Sequence, residues 1–471
     1  MAFINRKEEL AFLNEKWKGT DPQLIVLWGK RRVGKTELVK QFVRKRPHIY
    51  FLAESTGEKE QLSRFSRAVG EFFSEPLLTT RGFSSWEEGL RYIRDKNQRL
   101  ALAIDEFPYL IISNRGIASV FQRAWDEYLA QAPIYLVLLG SSVGMMETEV
   151  LGHKAPLYGR RTGQWKVRPL PFSQASRFRE RRSFEDKVMH YSLAGGIPAY
   201  WLYFSPEKDF FDNLRDRLLK KGEVLYDEAE FLLREELREP RYYFSLLQAI
   251  AQGKRKLSEI VNATGIPHGT ANKYLLVLSD LDIVEREIPV TENKPTKSKK
   301  GLYRIKDEFF AFWFRFVFPR RGDLEMGRLQ RVSGEIQKGL PQHLSLVYES
   351  IAAEILWDNA DRFFPFDALG RWWDRNEEID LVAFNREQGK MLFADVKWSE
   401  RLVGTDIYEG LKAQAAKVPM GGGGAAKGSR AEGEAERHFV LFSKKGFTPA
   451  MLKAARDEGV TLFKADKPFF P

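Results

Sequence analysis

Three short apolar runs punctuate the first part of the chain: Leu24–Trp28, Leu100–Ile104 and the segment IYLVLLG from Ile134, each followed by polar residues. Runs of this length without a polar interruption predict buried strands. From Arg241 the pattern changes. Leu246, Leu247 and Ile250, then Leu257, Ile260 and Val261, then Tyr274, Leu275, Leu278 and Leu281 recur at intervals of three and four, which predicts three amphipathic helices. The stretch TGIP (Thr264–Pro267) supplies the turn between the second and third. Two strand-like stretches, DIVEREIPV and GLYRI, flank TENKPTKSKK, a loop with lysines at 294, 297, 299 and 300, so the layout is a helix-turn-helix with a basic wing. The aromatic run Asp307–Pro319 reads as core closing that domain.

Further on, Ser345–Trp357 has a helical period with Val347, Ile351 and Ile355 on one face. GRWWDRNEEIDLVAFN reads as a strand bearing Asp380. In KMLFADVKW the two-residue alternation puts Asp395 and Lys397 on one face and Leu392, Ala394 and Val396 on the other. Met420–Arg437 is glycine-rich and of low complexity, as expected of a mobile loop, and HFVLFSKKGF resumes as a strand, so the tract interrupts a domain.

Composition narrows the classes. At 471 residues, 43% hydrophobic and 30% charged, the chain is an ordinary soluble protein too long for one core. MAFINRKEEL turns polar at once and no run approaches the ~20 apolar residues of a membrane span, so a cytoplasmic protein is expected. With no cysteine, disulfides and thiol chemistry are excluded, and 6 histidines leave any metal to oxygen ligands. A formal charge of +11 suits a polyanionic partner, nucleic acid first of all.

The residues after the first apolar run carry chemistry. Gly29-Lys30-Arg31-Arg32-Val33-Gly34-Lys35-Thr36 is G-x-x-x-x-G-K-T, lying between a strand and a helix-compatible segment that begins with Glu37. This is the setting of a phosphate cradle for ATP. The glycines permit a tight path, successive amides and the helix N-terminus face the phosphates, Lys35 reaches the β/γ oxygens and the Thr36 hydroxyl ligates Mg²⁺. Asp105 and Glu106 end a core strand, where the first would hold Mg²⁺ and the second would act as general base on the attacking water. Ser141 or Ser142 would touch the γ-phosphate or that water, or else cap a helix. Arg160 and Arg161 are candidates for an arginine finger, the alternative being a solvated basic loop.

INRKEEL, the cradle, DEFPYL, GSSVGMM, PLYGRRTG, PLPF and GGIPAYW together resemble the archaeal-type ATPase family, a STAND branch of AAA-type P-loop NTPases, over most of residues 1–205. The resemblance implies a parallel αβα core with a helical lid, and makes Gly195–Pro198 the glycine-x-proline signature near the nucleotide.

Glu349, Asp380 and then Asp395-x-Lys397 follow the order of PD-(D/E)XK nucleases, and the GRWW lead-in resembles the C-terminal domain of the same ATPase family, over about residues 340–400. Asp380 and Asp395 would hold Mg²⁺, Lys397 would orient the nucleophile and Glu349 would assist. Glu354, five residues from Glu349, points elsewhere. The alternatives are a solvated charge pair, a docking platform without activity, and a site silent until the ATPase changes state. If this part binds double-stranded DNA, His268, Thr270, Asn272 and Lys273 on the third predicted helix would lie nearest the bases, and Lys297, Lys299 and Lys300 of the wing on the phosphates. A protein-interaction role is the alternative.

The expected fold is therefore α/β and multidomain: a P-loop core at 1–168, a helical lid at 169–240, a winged helix-turn-helix at 241–318 and a restriction-endonuclease-like α/β domain at 319–471. The expected function is an ATPase that couples ATP and Mg²⁺ to a DNA-binding, nuclease-like part in defence, repair or mobile-element maintenance. The rival is a nucleotide-dependent switch that binds DNA or protein without cutting. A homo-oligomer formed on nucleotide binding is a further expected partner state.

Overall fold

The computed structural model describes residues 3–237, 239–375, 377–419 and 436–469. The glycine-rich tract expected to form a mobile loop lies, except for its last two residues, outside the described residues. The chain divides into two compact units, one holding residues through Leu170 together with Gly196–Tyr200, the other Pro171–Gly195 and Trp201 onward. The segments read as lid, winged helix and nuclease-like domain thus fall largely within one compact unit.

The first unit is built on a five-stranded parallel sheet of β1 (Gln23–Trp28), β2 (His48–Leu52), β3 (Leu100–Asp105), β4 (Ile134–Gly140) and β5 (Gly163–Lys166), in the order β2-β3-β4-β1-β5. Every residue of β1, β3 and β4 is buried, which is why these strands read as unbroken apolar runs. Because β4 lies between β3 and β1, the residues leaving all three strands meet at one carboxyl edge, where Trp28 is in register with Gly140 and Ile104 with Leu138. Leu170 N–H donates to the Gly196 carbonyl at 2.7 Å, joining the glycine-proline stretch to this unit.

In the second unit the helices Pro240–Ala251, Leu257–Thr264 and His268–Asp280 precede an antiparallel pair, β6 (Val284–Glu287) and β7 (Leu302–Ile305). The aromatic run that follows is helical, and Phe309, Phe312, Trp313 and Phe314 are fully buried. A 30-residue helix, Leu329–Asp358, runs through Pro341. The helical period of Ser345–Trp357 is the last part of this helix, which extends sixteen residues further toward the N-terminus although a proline removes one backbone donor and usually ends a helix. Here Ile336, Leu340, Leu344 and Val347 are buried on both sides of it, and that packing outweighs the lost bond.

The last element is a six-stranded sheet of β8 (Ala368–Asp374), β9 (Glu377–Asn385), β10 (Lys390–Lys397), β11 (Glu436–Ser443), β12 (Thr461–Lys464) and β13 (Lys467–Phe469). β8, β9 and β10 are antiparallel, β10–β11–β12 parallel and β12–β13 antiparallel. The single strand read across GRWWDRNEEIDLVAFN is in fact two: the chain reverses after Asp374, where Arg375 takes φ +47°. No helix among the described residues is long and apolar enough to cross a membrane.

Candidate functional site

The cradle begins where β1 ends. Gly29 takes φ +150°, and a Cβ there would run into the Val167 carbonyl oxygen. Gly34 takes φ +94° and delivers the chain into the helix Lys35–Val43, whose first amides have no partner within the helix. Arg32 and Glu106 are non-glycine residues held at φ +64° and +53°, a strain that persists only where the surroundings impose it. Lys35 is 5% exposed, and its Nζ donates to the carbonyls of Gly29 and Lys30 at 2.9 Å. Val33 is buried and its carbonyl accepts from Arg6 at 2.6 Å, while Arg6 also reaches the Arg168 carbonyl and Glu9 at 2.8 Å. Glu37 is exposed beside Lys40.

Asp105 is fully buried at the tip of β3. Its Oδ2 accepts from Thr36 Oγ1 at 2.6 Å and from the Tyr50 hydroxyl at 2.5 Å, and its Oδ1 accepts the Glu106 N–H at 2.9 Å. Glu106 Oε2 in turn accepts from Ser141 Oγ at 2.6 Å and Ser141 N–H at 3.2 Å. Burial pushes the Tyr50 phenol up, and the neighbouring Asp105 pushes it further. Contact between Thr36 and Asp105 puts two hard oxygens together, which fits Mg²⁺ completed by phosphate oxygens and water. Among the described residues no three His, Cys, Asp or Glu side chains group as a metal cage.

Tyr50, Arg6 and the pairing of Ser141 with Glu106 were not predicted. Tyr50 reaches Asp105 only because β2 pairs with β3, a non-local fact that no local motif records. The Arg32 guanidinium lies 5.9 Å above the Tyr200 ring, which brings the glycine-proline stretch to the cradle loop. The two candidate arginine fingers are engaged elsewhere: Arg160 forks onto Asp126 at 3.0–3.2 Å, and Arg161 stacks over Tyr158.

The second cluster lies on the last sheet. Leu381 and Ala394 are the final paired residues of β9 and β10, so Asp380 and Asp395 face each other one step on. Asp380 Oδ2 accepts the Val396 N–H at 2.8 Å. Lys397 Nζ sits 2.6 Å from Asp395 Oδ1 and 4.0 Å from Asp380 Oδ2. Burial raises Asp395 to about 6 against the opposing pull of Lys397, with Asp380 adding to the rise. Glu349, from the long helix, is turned to Arg371 at 2.8 Å, and the same guanidinium also holds Glu378. Burial brings Glu349 to about 7, Arg371 working against it and Asp380 with it. Glu354 accepts the Phe172 N–H at 2.7 Å and serves no part of this cluster. Two carboxylates with an ammonium between them fit a divalent cation only if the ammonium gives way and backbone or substrate oxygens complete the shell.

Of the residues assigned to DNA, His268, Asn272 and Lys273 are exposed at the start of their helix and Thr270 is half-buried. Asn272 Nδ2 lies 3.3 Å from His268 Nδ1. Lys297 and Lys299 are exposed, whereas Lys300 is 3.0 Å from Asp374 on β8.

Residues 3–204 match the family described as an ATPase domain predominantly from Archaea, and residues 313–415 match one described as archaeal and bacterial proteins of unknown function. An uncharacterised protein of Methanocaldococcus jannaschii is 38% identical over 427 residues, which is 86% of this chain and 94% of that protein. Among solved structures, a Walker-type ATPase of Pyrococcus abyssi aligns with a TM-score of 0.49 at 22% identity, covering 66% of this chain and 96% of that one. The ORC2 protein of Aeropyrum pernix, in ADPNP and ADP complexes, aligns with a TM-score of 0.41 at 12% identity, covering 71% and 95%. With the cradle in place at the edge of a parallel sheet and a relative matched across most of both chains, the chain belongs to the archaeal ATPase family.

Proposed function

We propose that this ATPase couples ATP binding and hydrolysis to a second unit that engages double-stranded DNA and carries a metal-dependent nuclease centre. In the first step Lys35 exchanges the carbonyls of Gly29 and Lys30 for β/γ-phosphate oxygens, and the loop amides close on the phosphates. Thr36 and Asp105 would hold Mg²⁺, which when bound neutralises phosphate charge. Tyr50 and the Glu106 N–H keep Asp105 aimed at that position. Glu106 takes the proton of the attacking water, with Ser141 fixing one of its oxygens. Arg32 stacked on Tyr200 offers a link by which the phosphate state is felt at Gly196–Tyr200.

The observation that carries the nuclease reading is the convergence of Asp380, Asp395 and Lys397 on one face of a hairpin. Asp380 and Asp395 would hold Mg²⁺, which supplies Lewis-acid polarisation of a scissile phosphate. Lys397 then orients the nucleophile, and Glu349 joins once Arg371 lets it go. His268, Thr270, Asn272 and Lys273 approach the bases, and Lys297 and Lys299 the phosphates. The parting of 169–240, 241–318 and 319–471 into lid, winged helix and restriction-endonuclease-like parts belongs to the same proposal.

One observation favours the second reading, a switch that binds without cutting: Glu349 is held by Arg371 and Asp395 by Lys397. The test is cleavage of linear and supercoiled DNA by the purified chain with Mg²⁺ or Mn²⁺, with and without ATP, beside Asp395→Ala. The nuclease reading expects cutting by the parent alone and equal ATP turnover in both. A parent that never cuts, in any nucleotide state, establishes the switch.

A further inference from the structure

In the second unit a cavity of about 490 Å³ opens between the helix Pro240–Ala251, β7 and the long helix Leu329–Asp358. Four arginines from separate segments line it: Arg255, Arg304, Arg315 and Arg371. We propose that this cavity is a binding site for a nucleotide-sized organic phosphate.

Three of the guanidiniums are fixed from behind by carboxylates. Arg255 pairs with Glu287, Arg304 with Glu285 and, at 3.1 Å, with Glu287, and Arg371 with Glu349 and Glu378. A purely structural ion-pair network would be expected to use its donors fully, and this one does not. The Nε–H groups of Arg255 and Arg371 are buried with no acceptor among the described residues, a costly state for a charged donor. Arg315 donates to the neutral carboxamide of Gln342 at 2.6 Å and stacks on Phe316.

The crowding of cations registers on Arg255, which burial and then the nearby Arg371 and Arg304 deprive of proton affinity, against the pull of Glu287. Glu308 also lines the cavity, and burial raises it to about 8 against the pull of Arg304, so at neutral pH it is mainly a protonated donor and not a repelling charge. Among the described residues Arg315 alone of the four has no carboxylate partner, and a planar guanidinium fork of that kind matches phosphate. Ile250, Leu346, Val347 and Tyr303 supply an apolar and aromatic wall for the organic part of the ligand.

Arg371 belongs both to this cavity and to the Glu349 pair, so an occupant that draws on its guanidinium loosens Glu349 from it. That consequence rests on the nuclease reading, whereas the binding itself does not.

The phosphate has two possible sources, a free nucleotide or the 5′-phosphorylated end of a strand. The test is calorimetric titration of full-length Lys35→Ala protein, whose cradle is disabled, with AMP, with a 5′-phosphorylated oligonucleotide and with its 5′-hydroxyl counterpart. Adding Arg315→Ala is expected to weaken phosphate-dependent binding at least 10-fold, with Arg315→Lys intermediate because it keeps the charge and loses the fork. ATP turnover and melting temperature of Arg315→Ala with Lys35 intact show that the fold is preserved. Binding of AMP identifies the free source, and binding of the phosphorylated strand alone identifies the strand end. If AMP does not bind and the phosphorylated strand binds no better than its 5′-hydroxyl counterpart, or if phosphate-dependent binding is unchanged without Arg315, the proposal is overturned.

Discussion

The cradle and the hairpin cluster both place carboxylates at the edge of a sheet, but they handle the charge in opposite ways. At the cradle Asp105 accepts from two hydroxyls and a backbone N–H, so it is oriented by dipoles. At the hairpin Asp395 meets Lys397 and Glu349 meets Arg371, so each is oriented by a full opposite charge. Dipoles leave a carboxylate able to take a cation without first losing a partner. An ion pair must be broken before either member can do anything else, and breaking a buried one costs several kcal/mol. The first arrangement is ready for its ligand, and the second has to be released into use.

The sharpest way to break this comparison is to remove the hairpin acids. Asp380→Ala should abolish metal-dependent DNA cleavage, a loss beyond ~10³-fold, with ATP turnover unchanged. Lys397→Ala should separate binding from chemistry: metal affinity, read by titration, survives or rises as the competing ammonium disappears, while cleavage falls ~10²- to 10³-fold. Cleavage equal to the parent in both variants would remove the hairpin from the chemistry.

At the cradle the expected losses are next in size. Glu106→Gln should retain nucleotide binding and lose turnover by ~10²- to 10³-fold, whereas Lys35→Ala should weaken binding itself. Tyr50→Phe removes one of the three bonds to Asp105 and should lower turnover about 10-fold, the worth of a hydrogen bond to a charged group. A Tyr50→Phe enzyme as fast as the parent would show that dipolar orientation of Asp105 is dispensable.

The pH dependence of stability sharpens the contrast further. Glu349 is raised from 4.5 to about 7, chiefly by burial, so the folded state binds its proton more tightly than the unfolded state. Its contribution is therefore fully present below about 4.5 and is lost as pH rises through about 7, by roughly 3 kcal/mol. Glu349→Gln should flatten the denaturation midpoint over that window. An unchanged pH profile would mean that Arg371 holds Glu349 ionised throughout.

The smallest effect belongs to the lysines between β6 and β7. Replacing Lys297 and Lys299 with Ala should lower the slope of log DNA affinity against log salt by about 2, one counterion for each lysine. Lys300→Ala should change it less, since Lys300 is already paired with Asp374. An unaltered slope in the double variant would favour a protein-interaction role for these strands.

Legibility followed the distance over which each feature is encoded. Gly29–Thr36 could be read directly, because a phosphate cradle is a contiguous backbone path with residue-specific demands at Gly29, Gly34 and Lys35. Asp105 and Glu106 were legible as the end of an unbroken apolar run, and the shared face of Asp395 and Lys397 as a two-residue period. Arg160 and Arg161 stood out as basic residues in a loop, but their partners, Asp126 and Tyr158, could not be foreseen. The long helix was legible only over Ser345–Trp357, and its continuation through Pro341 rests on packing that a local pattern does not record.

What the sequence by itself determined is the set of local requirements: which strands must be buried, where the backbone must turn sharply around a phosphate, and which carboxylates emerge on a common face. Only the tertiary structure decided what those groups meet. β2 beside β3 brings Tyr50 to Asp105, β4 between β3 and β1 brings Ser141 to Glu106, and β8 beside β9 brings Arg371 between Glu349 and Glu378. Strand neighbours are chosen by the burial of whole faces and not by the side chains that end up in contact, so the partners of a charged group follow from the packing of everything around it.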